Sequence, residues 1–308
     1  MTGTRSRASG SSCCAGWPGV RVVATSAELA AATAAARAAG ASVGFQPTMG
    51  ALHAGHRANF AAARRENDVV VGSIFVNPLQ FGPTEDLARY PRDLAGDLAA
   101  CEAEGVDVVF TPDEREVWPV RPAVRVCVGA MADRLEGALR PGHLDGVATV
   151  VAKLLHLVGP ARAYFGEKDA QQLAVVRRMV ADLGFPNQVV ACPTVREPDG
   201  LATSSRNAYL SAAERRAAPV LYRALQTGRS AWLAGAREPA AVERAAGELL
   251  AQAPEVEVQY VALVDPDSFE PVAEAAAGQV LAVAARLGAT RLIDNLTLRP
   301  ASSPGGVD

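Results

Sequence analysis

The chain has 308 residues, of which 49% are hydrophobic and 20% charged, and this composition excludes a disordered, collagen-like or disulfide-scaffold protein. Thirty basic and thirty-three acidic side chains give a formal net charge of −3, so no overall positive field would gather nucleic acid or an anionic membrane. Five scattered cysteines fit a reducing compartment, and no apolar run reaches the ~18 residues of a membrane span. We therefore expect a cytoplasmic protein that binds neither nucleic acid nor membranes.

The first two thirds of the chain alternate between strand and helix patterns. Residues 1–19 have no apolar periodicity and are expected to form a disordered tail. Apolar runs predict strands near 20–24, 42–45, 69–76, 106–110, 162–165 and 188–191, with helices near 25–39, 55–67, 93–104, 144–158 and 169–183. Such units predict a mostly parallel sheet covered on both faces, with ligands bound beyond the carboxyl ends of its strands.

The composition changes after residue 197. A capping box at Ser211–Glu214 begins alanine-rich helices that extend to about residue 253, and strand-like runs follow at 256–264, 279–285 and 290–298. The pattern predicts an α/β domain over 20–196 and a smaller α+β domain over 197–300, with a disordered end at 301–308.

His53 and His56 stand three residues apart in the segment PTMGALHAGH, which leaves a predicted strand and enters a predicted helix. One helical turn would place both imidazoles beside free backbone N–H groups and the positive end of the helix dipole, which suits a phosphate group. Two alternatives stay open. The histidines cap or pack the helix, or they bind zinc, although two ligands without a nearby third make a poor metal site.

Two further strand ends carry polar side chains. Asn77 and Gln80 follow the run at 69–76, where two carboxamides can bind a small polar substrate, unless the segment is only a turn. Lys168 and Asp169 follow the run at 162–165, and they suit a phosphate and Mg²⁺ respectively. Asp169 also has the spacing of a helix N-cap toward a partner three residues later, and both interpretations can hold at once.

The segment 203–207 places hydroxyls, a guanidinium and an amide at the predicted domain junction. It is interpreted either as a mobile phosphate clamp or as a polar hinge loop. His143, in the string LRPGH, likewise has two possible interpretations, a structural role or a functional one.

Taken together, these segments resemble the pantothenate synthetase family. The strings PTMGALHAGH, SIFVNPLQFGPTEDLARYPR, LEGALRPGHLDGV, FGEKDAQQL and PTVREPDGLATSSRNAYLS occur in the family's order, and HAGH is similar to the HxGH signature of a nucleotidyltransferase superfamily. The resemblance implies a Rossmann-type domain, a smaller C-terminal lid domain and a homodimer. It also implies ATP-dependent condensation of (R)-pantoate with β-alanine through a pantoyl adenylate, a step of vitamin B5 and coenzyme A precursor biosynthesis.

The family pattern implies a role for each matching position. The implied catalytic residues are His53, His56, Lys168, Ser204, Ser205 and Arg206. ATP would lie against these and against Met49, Gly50, Gly55, Gly166, Glu167, Asp169, Val195 and Thr203, with Mg²⁺ on Asp169. The other substrates would contact Pro47, Thr48, Met49, Asn77, Gln80, Tyr90, Arg140 and Gln172. Three positions depart from the family pattern, namely Gln46, Arg57 and Thr203.

Two other functions compete with this one. A related nucleotidyltransferase would transfer AMP to a phosphorylated pantetheine-like substrate, but the carboxamides of Asn77, Gln80 and Gln172 suit a small hydroxy acid better. A nucleotide-binding regulatory module without catalysis is disfavoured because the complete set of phosphate-directed residues is present.

Overall fold

The computed structural model describes residues 19–83 and 85–300, so the predicted tails lie outside the described residues apart from Gly19. In the first part of the chain the elements are β1 (Arg21–Val23), α1 (Ser26–Ala38), β2 (Val43–Thr48), α2 (Ala54–Glu66), β3 (Val69–Ile74), α3 (Leu94–Ala103), β4 (Val108–Phe110), α4 (Glu114–Val117), α5 (Leu135–Leu139), α6 (His143–Val158), β5 (Arg162–Gly166), α7 (Ala170–Asp182) and β6 (Gln188–Cys192). The remaining elements are α8 (Ala212–Ala217), α9 (Val220–Leu233), α10 (Pro239–Leu250), β7 (Val256–Val264), β8 (Val280–Leu287) and β9 (Thr290–Thr297).

The first six strands form one sheet in the order β1-β4-β3-β2-β5-β6, and every neighbouring pair is parallel. From β2 the chain winds outward through β3 and β4, and then returns to place β5 and β6 on the other side of β2. The winding therefore reverses between β2 and β5, which creates a crevice at their carboxyl ends. The predicted parallel sheet is confirmed.

Helices cover both faces of this sheet. On one face, Phe60 of α2 packs so closely that a Cβ on Gly72 of β3 would lie 3.0 Å from its ring. On the other face, α6 buries Leu144, Val151 and Leu155 against the strands. Burial on both faces explains why these strands read as continuous apolar runs in the sequence.

The last three strands form a separate antiparallel sheet in the order β7-β8-β9. Helix α9 packs Leu221 and Leu225 into the core of this part. The predicted capping box of Ser211 and Glu214 is confirmed at the start of α8, and Thr25 and Glu28 form a second one at the start of α1. The predicted fold class, a parallel α/β sheet with a smaller α+β unit, is thus confirmed, whereas the boundary at 197 and the lid role stay predictions.

Apolar and charged contacts join the two sheets. Ala174 of α7 packs with Val264 and Phe269, which belong to the second sheet and the loop after β7. Arg291 of β9 forms a two-pronged ion pair with Glu136 of α5, at N–O distances of 2.6 and 2.5 Å. In the described part of the chain, no helix combines the length and the apolarity needed to cross a membrane.

Candidate active site

A long cavity lies beyond the carboxyl ends of β2 and β5, where the strand order reverses, as expected for a sheet of this type. Eighteen of the site residues predicted from the sequence line it. They are Pro47, Thr48, Met49, His53, Gly55, His56, Gln80, Tyr90, Arg140, Gly166, Lys168, Asp169, Gln172, Val195, Thr203, Ser204, Ser205 and Arg206. Segments more than 150 residues apart in the sequence therefore meet in one place.

The two histidines form a capping box at the start of α2. Nδ1 of His53, the N-cap residue, accepts a hydrogen bond from the Gly55 N–H at 3.2 Å. Nδ1 of His56 accepts one from the backbone N–H of His53 at 3.4 Å, and the two rings lie 4.1 Å apart. The capping and ligand-facing interpretations of this pair therefore hold together, because the same residues cap the helix and line the cavity.

Both imidazoles are neutral near pH 7. Burial, assisted by the nearby Lys168 cation, lowers the pKa of His53 to about 4. Burial and the adjacent His53 lower the pKa of His56 to about 3. Because each Nδ1 accepts a backbone hydrogen bond, the ring proton of each histidine resides on Nε2. The pair thus supplies two N–H donors.

Lys168 and Asp169 lie at the end of β5, in the turn before α7. Nζ of Lys168 is 3.5 Å from Oδ1 of Asp169, and the lysine side chain is 19% exposed. Burial opposes ionisation of Asp169, but Lys168 and Arg206 outweigh it and lower the pKa of this carboxyl. Asp169 occupies the predicted N-cap position of α7, but its side chain makes no capping bond, so only the position is confirmed.

The segment after residue 203 brings a guanidinium to the cavity. Oγ of Ser204 accepts the backbone N–H of Arg206 at 3.3 Å and begins a short 3-10 turn. The Arg206 guanidinium donates to both carboxylate oxygens of Asp86, at 3.2 and 3.0 Å. Tyr209 in the same turn donates its hydroxyl to the carbonyl of Arg89 at 3.0 Å. Asp86 and Arg89 are therefore bound to the segment that carries the predicted phosphate clamp.

Gln80 reaches the cavity wall, whereas Asn77 lies behind it. The Asn77 amide donates to Oε1 of Gln80 at 3.0 Å and to the Gly146 carbonyl at 3.1 Å, and its oxygen accepts from the Trp118 indole at 3.2 Å. Asn77 is 1% exposed and does not line the cavity. Asn77 thus lies behind the lining and bonds to Gln80, Gly146 and Trp118, and its predicted substrate contact stays a prediction.

Two more residues with predicted ligand contacts, Gly50 and Glu167, also lie outside the lining, and their contacts stay predictions. Gly50 adopts a left-handed conformation with φ +82°, and a Cβ there would lie 2.7 Å from Asp97. The Asp97 carboxylate accepts the backbone N–H groups of Ala51 and Leu52, so this tight turn shapes the loop behind the wall. Glu167 also lies outside the lining, and its carbonyl accepts a hydrogen bond from Asn295.

Four groups form a polar network around Arg140 and His143, which both line the cavity. The Arg140 guanidinium donates to both oxygens of Glu85, at 2.8 and 2.7 Å, and approaches Nε2 of His143 at 2.8 Å. Nδ1 of His143 lies 2.8 Å from the Gln80 carbonyl. Burial, followed by the Arg140 charge, lowers the pKa of His143 to about 4. His143, whose role the sequence left open, thus lines the cavity and contacts Arg140 and Gln80.

Several lining residues were not predicted from the sequence. Asn59 of α2 is 6% exposed and forms no side-chain hydrogen bond to another described residue. Its helical spacing of three from His56 is the one signal that would have indicated it. The other missed residues form apolar or loop walls, namely Phe75, Phe81, Val147, Val150, Val151, Leu154, Phe165, Pro193 and Thr194.

The three departures from the family pattern have different surroundings. Gln46 is 1% exposed, and its Oε1 finds no hydrogen-bond partner within the described residues. Arg57 is half exposed and pairs with Glu104 at 2.7 Å. Thr203 donates its hydroxyl to the Val195 carbonyl at 3.2 Å, so this hydroxyl is engaged within the protein.

The model of the pantoate-beta-alanine ligase family matches residues 21–297 of the chain. The chain belongs to this family. The pantothenate synthetase of Acidothermus cellulolyticus is 55% identical over 263 residues, which cover 84% of this chain and 86% of that protein. Other curated pantoate ligase relatives are longer: the chain spans about half the length of the bifunctional pantoate ligase/cytidylate kinases it matches, 50% in Synechococcus elongatus.

Solved structures of pantoate-beta-alanine ligases have the same fold. The pantothenate synthetase of Thermus thermophilus superposes with a TM-score of 0.86 at 54% identity, over 91% of this chain and all of that one. The Francisella tularensis pantoate-beta-alanine ligase, described as complexed with beta-gamma ATP and beta-alanine, gives 0.76 at 31% identity over 92% and 100%. The pantoate-beta-alanine ligase fold is therefore shared along nearly the whole described chain.

Proposed function

We propose that the protein condenses (R)-pantoate with β-alanine at the expense of ATP, giving pantothenate, AMP and pyrophosphate. In the first step a pantoate carboxylate oxygen bonds to the α-phosphorus of ATP, and the bond from that phosphorus to the bridging oxygen of pyrophosphate breaks. In the second step the amine nitrogen of β-alanine bonds to the acyl carbon of pantoyl adenylate, AMP leaves, and a proton is released. Family membership supports this assignment.

One observation carries the proposal: donors for phosphate and donors for a small hydroxy acid line a single cavity. His53, His56, Lys168 and Arg206 supply the first set, and the carboxamides of Gln80 and Gln172 the second. Activation of a carboxylate by ATP requires both reactants within bonding reach, and this juxtaposition provides it.

The protein's main contribution to the first step is electrostatic. Negative charge grows on the departing pyrophosphate, and Lys168, Arg206 and the two neutral imidazoles would stabilise it with N–H donors fixed before the reaction. Gly55, Gly166, Val195 and Thr203 lie in the same lining and would hold the nucleoside. A covalent enzyme intermediate is not needed.

Asp169 is the residue we propose for Mg²⁺. Magnesium typically binds one or two protein carboxylates and completes its coordination with substrate phosphates and water. Asp169 fits this requirement because its carboxylate is ionised, lines the cavity and is not used in helix capping. Within the described residues, no three His, Cys, Asp or Glu side chains form a metal cage, which agrees with an ion that arrives with ATP. When bound, the ion would neutralise phosphate charge.

In the second step we assign His56 an electrostatic role. Its pKa of about 3 and its Nδ1 hydrogen bond leave Nε2–H as a donor at neutral pH, which does not suit a base that must accept a proton. Arg140 and Tyr90 line the same cavity and would bind the carboxylate of the incoming amine or the pantoate.

We further propose a cytoplasmic homodimer in which residues 197–300 act as a lid. We propose that the second copy covers the loop after α4, where Val120 and Val124 are 78% and 86% exposed, the highest values among the large apolar side chains of the described residues. Light scattering of the purified protein tests the dimer, and a Val120→Asp, Val124→Asp variant should shift it toward monomer.

The central test follows isotope exchange. Enzyme with Mg²⁺, ATP and pantoate, but without β-alanine, should exchange labelled pyrophosphate into ATP, and should form pantothenate and AMP once β-alanine is added. Replacing pantoate with phosphopantetheine should abolish exchange. Exchange with phosphopantetheine in place of pantoate would identify the alternative nucleotidyltransferase activity.

A further inference from the structure

Strand β9 of the small sheet carries a buried dipeptide, Asp294–Asn295, that contacts the turn Glu167–Asp169, which carries the phosphate-directed Lys168. Asn295 is 9% exposed, and its Nδ2 donates to the carbonyl oxygens of Glu167 and Lys168, at 2.9 and 2.8 Å. One side-chain amide therefore holds two consecutive peptide groups of the turn that carries Lys168. Asn295 and Lys168 lie 127 positions apart, so this contact depends on the packing of the second sheet against the first.

Asp294, the residue before Asn295, contacts the segment that leads to the second group of phosphate-directed residues, Thr203–Arg206. Asp294 is 4% exposed and accepts two hydrogen bonds from the Arg196 guanidinium, at 2.6 and 2.9 Å. Arg196 also donates to the Gly200 carbonyl at 3.1 Å and bridges to Ala202, just before the Thr203–Arg206 segment. Oδ1 of Asp294 accepts the backbone N–H of Asn295 at 2.8 Å. The dipeptide thus connects the two loops whose cations would face the phosphates.

The backbone of the turn determines where the Lys168 ammonium lies. The turn spans three residues of 3-10 helix, Glu167–Asp169, between the end of β5 and the start of α7. The Cα–Cβ direction of Lys168 follows from the orientation of its two flanking peptide groups, and Asn295 bonds to both the carbonyl before Lys168 and the one after it. Loss of the amide would free both peptides to rotate.

We infer that Asn295 is a positioning residue for Lys168 and acts in adenylate formation. This inference rests on the proposed function, in which the Lys168 charge is required while pyrophosphate departs. A displacement of about 1 Å of such a group can cost on the order of 100-fold in rate. The transfer of the pantoyl group to the amine involves no pyrophosphate, so it should depend much less on Asn295.

Asn295→Ala, measured in the two half-reactions separately, tests the inference. Activation is followed as pantoate-dependent pyrophosphate exchange, and transfer is followed as pantothenate formed from synthetic pantoyl adenylate and β-alanine. We expect activation to fall about 10- to 100-fold, with transfer within about threefold of the wild type. Asn295→Ser, which keeps one hydroxyl donor, should show the same selective loss to a smaller degree, and it replaces the alanine variant if that protein does not fold.

Asn187→Ala is the matched control. Asn187 is 7% exposed and donates to the Gly159 carbonyl at 2.7 Å, away from the cavity lining. It should lower the melting temperature without changing the ratio of the two half-reactions. Equal losses in both half-reactions for the Asn295 variants, or a selective activation loss in Asn187→Ala, would overturn the positioning role. A wild-type protein that performs neither half-reaction would instead refute the proposed function.

Discussion

His53 and His56 together cap the N-terminus of α2. Nδ1 of His53 accepts a hydrogen bond from the Gly55 N–H, and Nδ1 of His56 accepts one from the backbone N–H of His53. Two residues that are uncommon at these capping positions thereby replace the usual Ser/Thr and Glu pair. The bonds that begin the helix also determine which ring nitrogen carries the proton. Substitutions can separate helix capping from ligand binding at these two positions, because Asn and Gln side chains can also cap a helix but lack an imidazole.

His53→Asn and His56→Gln should keep the helix start and lose the Nε2–H donors. Asparagine is a strong N-cap residue and glutamine serves at N3 of a capping box, so the free energy of unfolding should change by less than about 1 kcal/mol. Turnover should fall about 100-fold, as for the loss of one oriented donor. Chemical denaturation and steady-state rates at saturating substrates measure the two effects. Near-wild-type turnover of both variants would remove the imidazoles from the mechanism.

Stability should decrease as the pH falls from about 6.5 toward 5. His53, His56 and His143 have folded-state pKa values of about 4, 3 and 4, below the ordinary 6.5, so the unfolded chain takes up protons in this range while the folded protein does not. Each histidine should contribute roughly 1 kcal/mol or more of loss between pH 6.5 and 5. Urea unfolding at pH 7.5, 6 and 5 measures this loss. In His56→Gln the free energy of unfolding should fall less steeply with pH, by the contribution of one histidine. An unchanged pH dependence in that variant would contradict a neutral His56 in the folded protein.

Asp86→Asn should raise the affinity for ATP and pyrophosphate. Asp86 accepts hydrogen bonds from Nε and Nη2 of Arg206, so neutralising its carboxylate would weaken this pair and make the guanidinium available to phosphate. We expect severalfold tighter nucleotide binding by titration calorimetry, with slower turnover because pyrophosphate leaves more slowly. Asp199→Asn, which removes a partner of Arg215 away from the cavity lining, is the control and should leave ATP binding unchanged. Weaker ATP binding in Asp86→Asn would show that Asp86 positions Arg206 for its ligand.

Asn59→Leu should weaken nucleotide binding with little change in stability. Asn59 lines the cavity and forms no side-chain hydrogen bond to another described residue, and its amide atoms are not among the fully buried unpartnered ones. Its replacement should therefore change the free energy of unfolding by less than about 1 kcal/mol, whereas loss of an amide contact with the nucleotide should raise KM for ATP severalfold. Thermal unfolding and steady-state rates measure the two effects. An unchanged KM would place Asn59 outside the nucleotide contact.

Gln46→Met should stabilise the protein without affecting catalysis. Gln46 buries an unpaired carboxamide oxygen in β2, and an unsatisfied buried acceptor costs about 1–3 kcal/mol. Methionine has a similar volume and no polar requirement. Arg57→Met is the comparison, because its half-exposed ion pair with Glu104 is worth at most about 1 kcal/mol. A less stable Gln46→Met protein would indicate a bound water or other partner for the amide.

The sequence alone predicted the features that depend on local patterns of apolar and polar residues. Apolar runs predicted every strand of the larger sheet, and strand-to-helix transitions located His53, His56, Lys168 and Asp169. The position of Asn77 behind the lining has a physical reason, since a carboxamide at a strand end can face a ligand or orient its neighbour, and only packing decides. The N-cap position of Asp169 was predicted from the sequence, whereas the contact of its side chain with Lys168 was not.

Contacts across long sequence separations could not be predicted in this way. Asn295 reaches the Lys168 turn from another sheet, and Asp86 meets Arg206 across 120 residues. No periodicity or capping signal marks such a pair, because each member has an ordinary local environment. Family resemblance supplied the remaining ligand assignments.

Three cations of the cavity lining each pair with a carboxylate: Arg140 with Glu85, Lys168 with Asp169 and Arg206 with Asp86. Under the proposed function, nucleotide binding would therefore be an ion exchange, in which phosphate oxygens replace carboxylates on these cations. The pairing would also leave the cavity with little excess positive charge, so it would retain few stray anions. Selectivity for ATP over free phosphate would then depend on a ligand large enough to displace several carboxylates in one event.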